Sequence, residues 1–277
     1  MCPVYLRSLD PPGKLIAMQR DAHGSTLRAR TLRGAGRLLT PPRRSGAPEL
    51  MDLADYDAAE LAANLRDIRR VNALLGGTST VLRHLPGLLV ARPPDRPVTL
   101  LDLATGSADI PVAISRWARN HGRAIAITAS DASDDMLAIA AAHVGGDPTI
   151  TLARHDARAV PLPDGAFDVV VCSLSLHHFP PDEAVQVLRE MDRLAKLGFI
   201  LNDLRRGHVG YAAAWAASRL TTRNRLTRND APLSVRRAYT PMELADLLRR
   251  AGITGATIST HPWFRMAAVK RMEATDG

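Results

Sequence analysis

Between residues 98 and 203 the chain alternates short apolar runs with amphipathic stretches. VTLLD (98–102), AIAITASD (124–131), TITLARHD (149–156), FDVVVCSLS (167–175) and GFILND (198–203) are brief and rich in Val, Ile and Leu, which predicts five buried strands. DIPVAISRWARNH (109–121), DDMLAIAAAHV (134–144) and DEAVQVLREMDRLA (182–195) space their apolar residues for helices. Strands alternating with helices imply βαβ units and a mostly parallel sheet, an α/β fold. Such sheets bind ligands beyond the carboxyl ends of their strands, so chemistry is sought there.

The flanks read less evenly. Residues 49–77 carry apolar positions at helical spacing and stop at Gly76-Gly77, and TSTVLRHLPGLLV (78–90) predicts a further helix. After the fifth strand an insertion, 204–240, starts with a helix through HVGYAAAWAASRL and continues as a basic, polar loop. PMELADLLRRAG (241–252) is a helix with Thr240 as N-cap, Pro241 at its first position and Gly252 at its end. TGATIST and FRMAAVK, separated by His261-Pro262-Trp263, predict a closing β-hairpin.

Composition narrows the class. At 277 residues the chain suits one α/β domain with an extension. The net charge is +8, yet residues 1–46 hold nine basic residues against Asp10 and Asp21, which leaves +1 for the rest. A near-neutral body argues against nucleic acid as a partner. Residues 1–47 are therefore expected to be a disordered basic extension, with an over-long start or an Arg-rich organelle transit peptide as alternatives. Residues 48–277 are the expected domain. No apolar run reaches 18 residues, so no membrane span is expected. Cys2 and Cys172 offer neither a disulfide framework nor a metal quartet; no metal site is expected, and a reducing, cytoplasmic location is.

The loop after the first strand, DLATGSAD (102–109), joins a strand end to a helix start through small residues. Free N–H groups at a helix N-terminus make such a loop a cradle for a polar ligand. Gly106 allows a positive φ there, and Ala104 and Ala108 keep bulk away from a ligand. A NAD fingerprint requires G-x-G-x-x-G, and only Gly106 is glycine. Asp102 at the strand end suits a cationic partner better than a pyrophosphate.

DLATGSAD resembles the first motif of class I S-adenosylmethionine-dependent methyltransferases, in the D-x-A-T-G-x-G-D form of the quinone-biosynthesis members, with Ala108 where glycine is usual. SDASDDML (130–137) resembles their D-x-S-x-x-M-L, and RHDARAVPLPDGAFDVV (154–170) their G-D-A-x-x-L-P-F-x-D-x-x-F-D. The resemblance implies a Rossmann-like seven-stranded sheet of order 3-2-1-4-5-7-6 with the last strand antiparallel. It also implies N-terminal helices over 48–95, a helical substrate cap over 204–240 and S-adenosylmethionine as cofactor. By the same resemblance Asp102, Ala104, Thr105 and Gly106 face the methionine end, and Asp131 with Ala132 the ribose. Met136, Asp156 and Ala157 line the adenine, and Ser173 completes the set.

In CSLSLHHFPPDEA (172–184) the fourth strand runs out toward His177 and His178, and the fifth ends at Asp203. Neighbouring strand ends would bring His177 beside Asp203, a general base with a carboxylate to set its tautomer. Leu-His-His and the 26-residue spacing to Asp203 resemble bacterial natural-product O-methyltransferases. NLRDIRRVNALLGG (64–77) and the insertion resemble methyltransferases found beside type III polyketide synthases. These likenesses imply a phenolic or hydroxylated polyketide or quinol acceptor, met by His178, Arg237 and Tyr239. Methylation of a quinone precursor on carbon is the alternative, and a non-catalytic cofactor-binding partner protein a third. A homodimer is left open as the assembly.

Overall fold

The five apolar runs form parallel strands. In the computed structural model, β1 is Val98–Leu103, β2 Ile125–Asp131, β3 Ile150–Arg154, β4 Phe167–Ser173 and β5 Ala195–Leu204. The hairpin adds β6, Thr257–His261, and β7, Arg265–Arg271, giving the expected sheet order 3-2-1-4-5-7-6. β7 runs antiparallel to both β5 and β6. Gly198 sits where β5 meets β7 most closely, at φ +148°, and a Cβ there would lie 2.1 Å from the Lys270 carbonyl oxygen. Only glycine fits that approach.

The structure describes residues 41–53, 56–90, 92–93 and 96–272, together with the backbone of 9–10 and 14–15. The chain divides into two units, Met1–Thr40 and Pro41–Gly277. In the first, Leu9–Asp10 and Lys14–Leu15 form a two-residue antiparallel ladder. The expectation of disorder otherwise falls, up to Thr40, outside the described residues. Its last seven residues, 41–47, belong to the second unit and are tied down. Ser45 donates from its backbone to Arg236 at 3.0 Å, and Arg206 Nε donates to the Pro42 carbonyl at 2.7 Å.

Helices α1, Ala58–Leu74, and α2, Gly77–Leu88, precede the sheet. Gly76, read as a helix stop, is the left-handed cap that starts α2, at φ +83°. Helices α3, Asp109–Asn120, α4, Asp134–Val144, and α5, Pro181–Leu194, are the crossovers. Along β1, Leu100 packs into the core on one face, while Leu101 and Leu103 enter the core on the other. β4 and β5 divide in the same way, which is why these strands read as continuous apolar runs.

The insertion contains α6, His208–Thr221, and α7, Arg225–Arg237. α7 corrects the expected polar loop. Asn224 caps it by accepting from Thr227 N, and Leu226, Thr227, Asp230 and Val235 are buried. α8, Pro241–Ala251, carries a full capping box between Thr240 and Glu243. Among the described residues no helix is long and apolar enough to cross a membrane.

Candidate active site

The cradle forms where β1 ends. Its loop turns through left-handed residues at Ala104 (φ +52°) and Gly106 (φ +55°), and Ala108 (φ +56°) caps α3. The Thr105 N–H donates to the Ser130 carbonyl at 2.9 Å, which locks the loop to β2. A Cβ on Gly106 would meet nothing within 4 Å, so the loop keeps an open side. The Ala108 methyl is wholly buried in the core and stays out of the cradle. Replacing glycine there costs backbone strain, about 1–2 kcal/mol for a left-handed alanine, rather than ligand clearance.

Asp102 is 2% exposed and accepts from Thr105 Oγ1 at 2.6 Å through Oδ2, while its Oδ1 is buried without a hydrogen-bond partner. Burial pushes its pKa up to about 8, against the Thr105 bond and helped by Asp109 and Asp131. The Ser173 hydroxyl, at the end of β4, is likewise buried and unpartnered. Asp131 accepts from Gly106 N at 2.9 Å and Ser133 N at 3.0 Å. Burial raises its pKa in spite of those bonds. Ala132 lies between Asp131 and the Ser133 cap of α4.

Two of the residues expected at the adenine, Met136 and Asp156, have partners within the fold. Met136 packs in a cluster with Leu61, Leu65 and Leu226, which joins the cradle to α1 and α7. Asp156 is held by its own neighbour. Arg158 donates to both of its oxygens, at 2.9 and 2.7 Å, and bridges on to Glu183 at 2.6 Å. That pairing lowers the Asp156 pKa. Ala157 is buried beside it.

One strand pair further along, a backbone kink at Leu174 (φ +58°) leads into a 3-10 turn, Leu176–His178. The turn brings His177 and Asp203 together as the sequence predicts. His177 Nδ1 lies 2.7 Å from Asp203 Oδ1, and Asp203 Oδ2 accepts the His177 N–H at 2.9 Å. His178 Nδ1 lies 2.9 Å from Asp52 Oδ1. Burial disfavours a charge on His178, but Glu49 and Asp52 overcome it and raise its pKa. His178 in turn acts electrostatically on Asp131, so this cluster borders the cradle.

Arg237 and Tyr239, expected to meet substrate, are both buried and hydrogen-bonded. Arg237 is 7% exposed, donating to the His178 carbonyl at 2.6 Å and to Asp52 at 2.7 Å. Tyr239 is 2% exposed and donates to the Phe179 carbonyl at 2.7 Å. Three residues of the segment before α1 were not foreseen. Arg44 donates to the carbonyls of His177 and Phe179, both at 2.9 Å, and lies over the Tyr239 ring. Glu49 is buried 3.7 Å from His177 Nε2 and 3.8 Å from His178 Nε2, and Asp52 holds the far side of His178. Nothing in the local sequence separates these three from ordinary surface charges.

Residues 100–198 match the family described as a methyltransferase domain. Over 98 residues the chain is 33% identical to a demethylmenaquinone methyltransferase of Lysinibacillus sphaericus, covering 35% of this chain and 40% of that one. Over 118 residues it is 30% identical to a ubiquinone/menaquinone biosynthesis C-methyltransferase of Rickettsia akari, covering 40% and 48%. The match thus spans less than half the length of these curated relatives. Human N-acetylserotonin methyltransferase, solved with S-adenosylmethionine, shares the fold at a TM-score of 0.59 and 17% identity, over 84% of this chain and 63% of that one.

Sheet order, cradle and family match identify a class I S-adenosylmethionine-dependent methyltransferase domain. The residues present fit its cofactor. Asp102 has an unpartnered buried oxygen for a cationic amino group, Asp131 a carboxylate for ribose hydroxyls, and Gly106 an open flank.

Proposed function

We propose that the chain methylates an oxygen of a small phenolic or hydroxylated acceptor of the polyketide or quinol kind. The supporting observation is the buried His177–Asp203 pair at 2.7 Å. S-adenosylmethionine, when bound, supplies an electrophilic methyl group on a sulfonium that departs as a neutral thioether. A carboxylate can only accept, so Asp203 fixes the proton on His177 Nδ1 and leaves a lone pair on Nε2. That lone pair takes the acceptor's hydroxyl proton, and Asp203 with Glu49 stabilises the imidazolium. Asp102 holds the cofactor's amino group and Asp131 its ribose.

Methylation on ring carbon is the second reading, favoured by the names of the Lysinibacillus and Rickettsia relatives. Incubation with methyl-labelled S-adenosylmethionine and a panel of phenols, catechols and naphthoquinols separates the two. The expected product carries a methoxy signal by NMR; ring-methyl products alone would establish the second reading, and no transfer to any member would reject both. His177→Ala is expected to lose about 10²–10⁴-fold in turnover. Turnover unchanged by that substitution would remove the base assignment.

A further inference from the structure

We propose that Glu49, His177 and His178 bind a divalent transition-metal ion beside the cofactor cradle. Each histidine has its Nδ1 against a carboxylate, Asp203 at 2.7 Å and Asp52 at 2.9 Å. Both Nδ1 atoms therefore carry the proton, and both Nε2 atoms present lone pairs. Those lone pairs converge on Glu49, from 3.7 and 3.8 Å, distances too long for a hydrogen bond. One donor atom from each of the three residues lies within 4.8 Å of the others. Glu49 also accepts from Ser234 Oγ at 2.9 Å, and a cation between the three groups, a proton or a metal ion, relieves their mutual repulsion.

The arrangement suits a metal in three further ways. Zinc–nitrogen and zinc–oxygen bonds of about 2.0–2.2 Å set tetrahedral ligands roughly 3.4 Å apart. The pit is wider: His177 Nε2 lies 3.7 Å from Glu49 Oε1 and His178 Nε2 3.8 Å from Glu49 Oε2, and one donor atom per residue falls within 4.8 Å, so the ligands would draw in around an ion. Carboxylates on the far nitrogens of ligating histidines are the usual outer support of such sites, here supplied by Asp203 and Asp52. Two imidazoles and one carboxylate suit zinc, iron or nickel and leave positions open. Arg237, 3.9 Å from Glu49, and Arg44 oppose the ion, but Glu49, Asp52 and Asp203 outnumber them.

An ion here would occupy the Nε2 lone pair that the proposed base uses, so His177 would act as base only in the ion-free protein. Its open positions suit acceptors with two adjacent oxygens, such as catechols or ortho-hydroxy ketones. That last point rests on the oxygen-methylation reading; binding of the ion does not. The test titrates the full chain, stripped with chelator and dialysed, with Zn²⁺ by calorimetry and with Co²⁺ by visible absorption. One ion per chain is expected, with His178→Ala and Glu49→Gln each weakening Zn²⁺ at least tenfold. Asp203→Asn is expected to weaken it about 10–100-fold. Thermal stabilisation by S-adenosylhomocysteine, retained in the His178 and Glu49 variants, reports that they are folded. Absence of Zn²⁺ binding in the parent, or binding that these substitutions leave unchanged, would overturn the site. No acceptor enters the titration, so an inactive methyl-transfer panel leaves its outcome standing.

Discussion

Asp102 links burial to pH behaviour. Its pKa is raised by burial to about 8, against about 3.9 for an aspartate in the unfolded chain. Between those values the folded state holds a proton that the unfolded state has released, so this group's contribution to stability falls as pH rises from about 4 to about 8. Asp102→Asn mimics the neutral acid at every pH. It should match the parent near pH 4, diverge from it as pH rises and melt several degrees higher at pH 8.5, while losing stabilisation by S-adenosylhomocysteine. Melting temperatures of both proteins across pH 4–9 measure this, and parallel curves would show that Asp102 is ionised in the fold. Asp102 and Asp131 were legible because each ends an apolar run, where a parallel sheet exposes its ligands. His177 and Asp203 were legible for the same reason. Glu49, Asp52 and Arg44 were not, because they reach the site from a segment whose local pattern resembles a tail. The Asp156–Arg158 pairing escaped notice because a neighbour two residues away leaves no periodic trace.

At the scale of elements, α7 shows why a basic stretch can be structural. Its sequence, RLTRNDAPLSVRR, has low apolar content and an internal proline, so periodicity gave a loop. The structure anchors it through polar contacts instead. Asp230 accepts from the backbone of Leu50 and Met51 at 2.8 and 3.2 Å, and Arg237 grips the 3-10 turn of His177 and His178. We propose that Arg237 positions both histidines through these contacts. Arg237→Met keeps the apolar stem but removes the donors and leaves Glu49 and Asp52 with less counter-charge. A loss of about 3–5 kcal/mol is expected for removing one partner of a buried pair, read by chemical denaturation. Arg236→Met, one position away, is the control, and equal losses from the two would refute a special role for Arg237.

The whole molecule makes the sharpest distinction between cofactors. A parallel sheet with a strand–loop–helix cradle is shared by dinucleotide and sulfonium-nucleoside enzymes, so the sheet order alone does not choose. Charge and backbone do. The cradle presents Asp102 and Asp131 at adjacent strand ends, where a pyrophosphate would meet two carboxyl groups, and with Gly106 as the second glycine of a dinucleotide loop, Ala104 and Asp109 stand where the first and third are needed. S-adenosylhomocysteine keeps the amino group and ribose proposed to meet these residues, without the sulfonium. At a concentration 100-fold above its dissociation constant it should stabilise the fold by about 2.7 kcal/mol, a rise of roughly 5–10 °C for a domain of this size. NAD at the same concentration should leave the melting temperature unchanged, because its phosphates would meet the Asp102 and Asp131 carboxyl groups at the cradle. The comparison needs only the full chain, the two ligands and a thermal melt. A shift with NAD and none with S-adenosylhomocysteine would overturn the assignment of the cradle, and with it every role given to Asp102.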